Sequence, residues 1–296
     1  MIAQFIPLTT KIKNIDDVIY AEFATKARAH GYSEETLHSI NATFRKLINL
    51  CYKKKLIKEN PLDFIDNMRT MRNNEHKLIT HDQYLELDHY FKNYVFVRLG
   101  KNNGPKYRLL VSLLYYTGAR IGEITALLYS DFEEFSYYSK KDNPAPKIAP
   151  SSKKEEHLRG WRIKITKSYL TDFKITKAHP KNFKPRTVPL HADTTRLFMR
   201  LKEEHLLNGG SLNDRVFPFT HGAVNAMIKK ACEELDFEIF SCHDFRHTNI
   251  SNLIKKNVPL PVIEKVSGDT QATILKTYSN MFETDEILIL EALKNL

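Results

Sequence analysis

The sequence predicts a mainly α-helical protein of two domains, the second of which contains a small antiparallel β-sheet. Apolar residues recur at helical spacing over most of the 296 residues, whereas a region near residue 165 alternates apolar and polar side chains as strands do. Residues 67–78 are polar, charged and without periodicity, which is typical of a linker. We therefore place the two domains at residues 1–74 and 75–296.

The first domain is expected to be a compact helical unit. Apolar residues follow helical spacing from Ile15 to Gly31, and a glycine suits the position just after a helix. Ser33, followed by two glutamates, is a suitable N-cap for a second helix. We expect this second segment to close at Asn60-Pro61, because proline disfavours helix in the residue before it.

The second domain is expected to begin with three helices. Thr80 would cap the first, over HDQYLELDHYFKNYV, and YRLLVSLLYYTG has the composition of a buried second helix. Arg120 would begin the third, over ARIGEITALLYSDF. The apolar face of this third helix would consist of Ile121, Ile124, Leu127 and Leu128.

A strand region follows these helices. Residues 139–159 are poor in apolar side chains and rich in Pro, Ser and charge, so we expect a long mobile loop there. Strands are then predicted over GWRIKITKSYL, DFKIT and RTVPL, with Trp161, Ile163 and Ile165 alternating along the first. From Thr194 helical periodicity returns and continues to the C-terminus.

Charge and cysteine content narrow the class of protein. Lys and Arg total 45 against 35 Asp and Glu, and this net charge of +10 favours nucleic acid as a partner, although many basic proteins have none. The three cysteines lack CxxC spacing and an even count, which indicates free thiols in a reducing compartment. No apolar run could cross a membrane and the N-terminus lacks a signal-peptide pattern, so we expect a cytoplasmic protein.

The stretch HDFRHT concentrates chemistry in six residues, 243–248. On a helix, His243 and His247 would lie one turn apart on one face, which is the spacing of a zinc-binding pair. Arg246 would place a fixed positive charge beside the metal, however, and no third ligand stands at a suitable spacing. An arginine near a helix N-terminus suits a phosphate better, so we predict an anion site and no metal.

Four further positions are ambiguous when each feature is taken alone. Arg120 and Glu123 share a helix face and could be an ordinary surface ion pair. Lys181, in AHPKNFKPRTVPL, could be a solvated turn residue. Tyr278 could be a core or surface residue, because with a pKa of about 10 it is a poor nucleophile unless cations stabilise the phenolate.

Taken in order, these groups resemble the tyrosine recombinase (phage integrase) family. The matching boxes are YYTGARIGEITALLYSDF, PKNFKPRTVPL, HDFRHT and LKTYSN, spread over about 160 residues of the sequence. The first domain resembles the core-binding domain of integrases from phages and conjugative transposons, in the stretch ETLHSINATFRKLINLCYKKKLIKENP. The resemblance is therefore to a helical core-binding domain followed by a recombinase catalytic domain.

This resemblance implies a C-shaped clamp on duplex DNA and a transesterification that needs no cofactor. Tyr278 would attack the scissile phosphate and form a 3′-phosphotyrosyl link. Arg120 and Arg246 would hold the two non-bridging oxygens, and Lys181 would protonate the leaving 5′-oxygen. His243 would act as general base or hydrogen-bonding group. Glu123 would brace the site, with His247 in a supporting position.

The implied partners are double-stranded DNA with a specific core site and other copies of the chain, as a tetramer on DNA. The resemblance also allows for an accessory excision factor and places the protein with the nucleoid. Its role would be integration or excision of a mobile element, or chromosome resolution. A catalytically weakened DNA-binding relative and a strand-relaxing enzyme like the type IB topoisomerases are the alternatives.

Three features depart from the family pattern or extend it. Asp269 stands where the family usually has a histidine or tryptophan, and an ionised carboxylate there would repel a phosphate. An expected helix before Ile15 is missing, so we expect the first domain to be truncated or a short natural variant. Residues 284–296 would form a C-terminal tail helix that docks either on its own domain or on a neighbouring protomer.

Overall fold

The computed structural model divides the chain into two compact units, Met1–Glu75 and His76–Leu296. No described helix is long and apolar enough to cross a membrane. The predicted linker at 67–78 and the predicted tail helix at 284–296 lie outside the described residues, apart from 77, 78 and 293. The structure describes residues 2–7, 9–63, 77–95, 97–98, 101–140, 143–147, 156–170, 175–177, 184–281 and 293.

The first unit is built on two helices, α1 (Asp17–Ala29) and α2 (Glu34–Lys53), which follow short 3-10 turns at Ile2–Gln4 and Ile12–Asn14. The predicted cap of α2 is confirmed, because the Ser33 hydroxyl accepts a hydrogen bond from the backbone of Thr36. The two helices meet through stacked aromatic rings, among them Phe23 and Phe44 with centroids 4.8 Å apart. The core of this unit contains Ile6, Ile15, Tyr20, Phe23, Ile40, Phe44, Ile48 and Leu62.

Helix α2 ends earlier than the stop signal at Asn60-Pro61 suggested. Lys55 adopts a left-handed backbone conformation with φ of 58°, which a continuing helix cannot accommodate. The backbone amide of Leu56 bonds to the carbonyl of Cys51 across this turn, so the last helical carbonyls are satisfied without further helix.

The second unit begins with α3 (His81–Asn93) and α4 (Gly104–Thr117), joined through a two-residue hairpin pair, β1 (Val97–Arg98) and β2 (Lys101–Asn102). The predicted cap at Thr80 is confirmed and forms a capping box with Gln83. Helix α4 is buried on most of its surface, as its composition predicted, and runs through the centre of the core.

The helix predicted over ARIGEITALLYSDF is much shorter in the structure. Arg120 caps its start as expected, but α5 extends only over Ile121–Ile124. The following backbone bonds to residues far along the chain: Leu128 forms a bridge with Arg215, and the amide of Val216 bonds to the carbonyl of Leu127. These tertiary bonds replace the helical ones, and a 3-10 turn at Tyr129–Asp131 leads into the sheet.

The predicted antiparallel sheet is present with four strands. They are β3 (Phe132–Lys140), β4 (Asn143–Lys147), β5 (Glu156–Ile165) and β8 (Arg186–Pro189), in the spatial order β4-β3-β5-β8. A separate pair consists of β6 (Ser168–Leu170) and β7 (Ile175–Lys177). Ile163 pairs with both Phe132 and Val188 and is fully buried, as the alternation in β5 predicted.

The long loop predicted at 139–159 is therefore wrong in its described parts. Strand β3 continues to Lys140, β4 pairs with it through Tyr138 opposite Lys147, and β5 starts at Glu156. Polar composition misled the prediction, because backbone hydrogen bonds between antiparallel strands form without apolar side chains.

Among the described residues, five further helices of the second unit follow: α6 (Ala192–Leu207), α7 (His221–Glu234), α8 (Cys242–Lys255), α9 (Leu260–Ser267) and α10 (Gln271–Tyr278). Helices α4 and α8 pack against each other, and α9 packs against both α8 and strand β8. The end of α4, the start of α8 and the turn between α9 and α10 thereby come together in one place.

Candidate active site

The HDFRHT stretch forms the first turns of α8, as predicted. Ser241 is the N-cap, and its backbone amide and hydroxyl both donate to Asp244 at 2.7 Å. Asp244 therefore serves the helix start, which accounts for its presence beside the histidines. The cap directs the next turn inwards, and the Arg246 side chain is only 2% exposed.

Arg246 is fixed by two backbone carbonyls from different parts of the chain. Its Nη1 donates to Gly118 O at 2.7 Å, and its Nη2 donates to Ser267 O at 2.8 Å. Burial and the nearby charge of Arg120 lower the pKa of Arg246, although a guanidinium stays protonated near neutral pH. Gly118 has φ of 58°, and a Cβ there would stand 2.7 Å from Asn249 Oδ1, so this position needs glycine.

Arg120 lies across from Arg246 and is held by Glu123, as the sequence suggested. The Arg120 backbone amide donates to Glu123 Oε2 at 2.9 Å, and its Nη1 lies 3.4 Å from Glu123 Oε1. Burial alone would raise the pKa of Glu123, but hydrogen bonds and charge from Arg186, with help from Arg120, outweigh burial and lower it.

Arg186 is a residue of this site that sequence reasoning missed. Its Nη1 and Nη2 donate to the two oxygens of Glu123 at 3.0 and 2.6 Å, and its Nε donates to Val266 O at 2.8 Å. A signal was present in RTVPL, since Arg186 and Val188 share one face of β8 and both are buried. A charged residue on the core face of a strand indicates a buried partner.

Asp269 lies between the two arginines Arg120 and Arg246. Its Oδ1 accepts a very short hydrogen bond from Arg120 Nη2, and its Oδ2 lies 2.6 Å from Arg246 Nη2 and 3.2 Å from Arg246 Nε. Burial alone would raise the pKa of Asp269, but the charge of Arg246 and then of Arg120 lowers it, so the carboxylate is ionised. The two guanidinium groups thus converge on a single anion.

Tyr278 ends α10 beside this pair of arginines. Its hydroxyl is 2.7 Å from His247 Nδ1, and the ring is buried against Ile250, Ile254, Ile263 and Ile274. Burial raises the pKa of Tyr278, the charge of Arg246 opposes this, and Asp269 adds to it. A tyrosine in this setting needs a proton acceptor in order to become a nucleophile, and His247 is in direct contact with it.

Comparisons with known proteins agree with this arrangement. Residues 161–284, which include Arg186, Arg246 and Tyr278, match the model of the phage integrase family. Over these residues the chain is similar to the tyrosine-type DNA recombinases of this family. No curated protein sequence matches the chain.

Solved structures of similar fold are recombinases bound to DNA. The Tn1549 transposon integrase in complex with transposon right-end DNA has a TM-score of 0.68 and 15% identity, over 97% of this chain and 90% of that chain. The XerH site-specific recombinase bound to its difH substrate has a TM-score of 0.60 and 18% identity, over 93% of this chain and 70% of that chain. A lambda integrase dimer bound to a core site has a TM-score of 0.56 and 13% identity, over 93% of this chain and 83% of that chain. At these identities the likeness establishes the fold.

The other predicted site residues are distributed as follows. His243 lies beside His247 with ring centroids 4.5 Å apart, and burial followed by the charge of Arg246 lowers its pKa. Lys181 lies outside the described residues. Within the described parts of the chain, no three His, Cys, Asp or Glu side chains gather where they could hold a metal ion. Thr270, next to Asp269, caps α10.

Proposed function

We propose that this protein is a site-specific DNA recombinase that cleaves and rejoins strands through a 3′-phosphotyrosyl intermediate. The observation that carries the proposal is the convergence of Arg120 and Arg246 on one anion beside a buried tyrosine hydroxyl. Two guanidinium groups at fixed positions match the non-bridging oxygens of a phosphodiester and would stabilise the charge that builds there during transfer.

In the proposed reaction the Tyr278 oxygen attacks phosphorus while the bond to the 5′-oxygen breaks. The contact of 2.7 Å between the Tyr278 hydroxyl and His247 Nδ1 supports His247 as the group that takes the tyrosine proton, a role that the sequence had suggested for His243, with His247 only in a supporting position. The lowered pKa of His243, caused first by burial and then by Arg246, favours a neutral imidazole that can accept or donate a hydrogen bond. Lys181 would give a proton to the departing 5′-oxygen, and reversal of these steps would rejoin a strand.

The proposed partner is duplex DNA with a specific core site. The net charge of +10 supports it, as do the DNA complexes of the similar structures. Binding should weaken steeply with salt, because contacts with phosphates release condensed counterions. In this proposal residues 1–74 are the core-binding domain and residues 75–296 the catalytic domain. A tetramer forms on DNA, with the 284–296 tail of each copy docked on a neighbouring copy. The biological task is integration or excision.

A pool of nicked duplexes tests the chemistry without knowledge of the site. The duplexes would carry randomised inverted-repeat arms around a spacer with a nick, so that a cleaved strand end diffuses away and the adduct accumulates. Covalent complexes would be captured under denaturing conditions, their DNA sequenced, and the modified peptide identified by mass spectrometry. We expect enrichment of particular arms and a phosphate linked to Tyr278.

The Tyr278→Phe variant should form no adduct, whereas Tyr52→Phe, an exposed tyrosine of the first unit, should behave as the wild type. An adduct that persists in Tyr278→Phe would overturn the assignment of the nucleophile. His247→Asn should form adduct about 10²-fold more slowly, within the usual contribution of a general base.

A catalytically weakened DNA-binding relative is the second candidate, because a carboxylate on both arginines opposes phosphate binding. The same pool separates the two. Sequence-specific retention of duplexes under native conditions without any adduct would favour the second candidate.

A further inference from the structure

The anion site of this protein is already filled by the protein itself. Each oxygen of the Asp269 carboxylate contacts a different arginine, Oδ1 with Arg120 and Oδ2 with Arg246. Arg246 adds a second contact from Nε at 3.2 Å. Two oxygens on two guanidinium groups is the arrangement that the non-bridging oxygens of a phosphodiester would adopt.

The backbone around Asp269 is fixed to the same groups. Its amide donates to Ser267 Oγ at 3.1 Å, and the carbonyl of Ser267 accepts from Arg246 at 2.8 Å. The carbonyl of Val266 accepts from Arg186 at 2.8 Å. The loop from 266 to 269 is therefore built around the arginines, and it presents the carboxylate to them.

The carboxylate is also open to exchange, unlike the groups behind it. The Asp269 side chain is 19% exposed, whereas that of Arg246 is 2% exposed. A surface cavity of about 520 Å³ adjoins it, lined by Lys184, Lys265, Thr270 and Thr273 among others. The cavity gives a displaced Asp269 side chain space beside Lys184 and Lys265, and the Arg120 side chain, at 20% exposed, is itself open to solvent.

Two anions cannot share these arginines at low cost. The lowered pKa of Asp269, set by Arg246 and Arg120 against the effect of burial, keeps it ionised, so a phosphate at the same place would be repelled. Each ion pair made by the phosphate therefore replaces one made by Asp269, and the net gain on binding is reduced by that exchange.

We propose that Asp269 acts as an internal substitute for the substrate phosphate, which a DNA phosphate must displace before Tyr278 can react. This latch rests on the proposed recombinase function and adds a regulation of its site. The protein would be inactive towards stray phosphates, and a correctly bound DNA site would supply the binding energy for the exchange.

Inorganic phosphate is the first probe, because it needs no DNA site. Wild type, Asp269→Asn and the control Asp193→Asn would be titrated with phosphate at constant ionic strength, with binding followed by the unfolding temperature. Asp193 pairs with Arg196 on the exposed surface of α6, so the control removes an Asp–Arg contact away from the site. Melting in the absence of phosphate shows that each variant folds.

We expect Asp269→Asn to bind phosphate at least about tenfold more tightly than wild type, with Asp193→Asn unchanged, because the amide no longer competes as an anion. Equal or weaker phosphate binding by Asp269→Asn would overturn the latch. Asp269→His serves as a second variant and should also bind phosphate more tightly than the wild type.

The second probe is the nicked duplex that the wild type captures. Tyr278→Phe, introduced into the wild type and into Asp269→Asn, is the negative control. Asp269→Asn should form adduct about tenfold faster at subsaturating DNA, and a variant no faster than wild type would overturn the latch. Failure of the proposed function would look different: no adduct would form in any background, while the phosphate titration would still decide the role of Asp269.

Discussion

Two carboxylates of the site, Glu123 and Asp269, each contact two arginines, yet their surroundings differ. Glu123 is 1% exposed. It accepts hydrogen bonds from both terminal nitrogens of Arg186 and from the backbone amide of Arg120. Asp269 is 19% exposed, contacts Arg120 and Arg246, and lines the surface cavity. Arg120 belongs to both groups.

This difference separates a permanent ion pair from an exchangeable one. Glu123 and Arg186 are enclosed together, so a substrate phosphate cannot reach them, and removal of either leaves a buried charge. Asp269 lies where a substrate would bind, and solvent reduces the cost of losing its contacts. The inner carboxylate therefore holds Arg120 in place, and the outer one occupies its free side.

The largest expected effect is on stability when the inner carboxylate is removed. Glu123→Ala should lower the free energy of unfolding by about 3–5 kcal/mol, because Arg186 is left buried without a partner. Asp269→Ala is the matched control and should cost less, because Arg246 keeps its hydrogen bonds to two backbone carbonyls and Arg120 keeps Glu123. Urea unfolding monitored by circular dichroism measures both. Equal losses would contradict the division into permanent and exchangeable pairs.

Removal of the buried cation should cost slightly less. Arg186→Met should lower the free energy of unfolding by about 3 kcal/mol, since Glu123 keeps its contacts with Arg120. The double variant with Glu123→Met should regain much of that loss, because two apolar side chains can replace a buried ion pair.

Adduct formation by the same double variant separates stability from function. The rate of adduct formation should stay about 10²-fold below that of the wild type, because Arg120 would lose the contacts with Glu123 that hold it in place. A misplacement of about 1 Å can have an effect of this size. Recovery of the adduct rate together with stability would show that the Glu123–Arg186 pair only supports the fold.

A smaller loss is expected at Gly268, the residue directly before Asp269. Gly268 has φ of 74°, and a Cβ there would stand 2.9 Å from Arg186 Nη1. Gly209 has φ of 78° but no neighbour within 4 Å, so Gly209→Ala reports the backbone cost alone, about 1–2 kcal/mol. Gly268→Ala should exceed that value in thermal unfolding, and the excess measures contact with Arg186. Identical losses would show that Arg186 adjusts freely.

Local signals predicted much of the fold, and long-range contacts account for the errors. The caps at Ser33 and Thr80 were predicted because a hydroxyl near its own helix start needs no distant partner. The early end of α5 depends on a bridge between Leu128 and Arg215, which are far apart in the sequence. Strand β4 likewise exists through its pairing with β3, and its composition alone resembles a loop.

The site divides in the same way. The order of Arg120, Arg246 and Tyr278 in the sequence was enough to indicate the family, and the structure brings Arg120 and Arg246 together at one carboxylate. Arg186 was missed because its importance comes from Glu123, a partner on another element. Asp269 was expected to repel a phosphate, but its contacts with both arginines follow from the fold at the end of α9, where Val266 and Ser267 also bond to arginines. The role of Lys181 stays a prediction.

The smallest expected effect concerns acid stability, and it tests whether both carboxylates are paired as described. The pKa values of Glu123 and Asp269 are lowered in the folded protein, by arginine contacts that outweigh burial. Unfolded values are about 4.3 and 3.9, so their contribution is complete above pH 5 and is lost as the pH falls through the folded values.

Urea unfolding between pH 3 and pH 6 should therefore show a loss of stability below about pH 4 that is shallower in Asp269→Asn than in the wild type. His243 affects stability at higher pH, because burial and Arg246 lower its pKa in the folded protein. The unfolded chain therefore takes up the proton more readily, and the folded protein loses stability as the pH falls below about 6.5. His243→Gln should flatten that upper part of the profile and leave the part below pH 4 unchanged. If the stability of Asp269→Asn varied with pH below pH 4 just as that of the wild type does, Asp269 would not contact the arginines in solution. The proposal that Asp269 occupies the anion site would then be wrong.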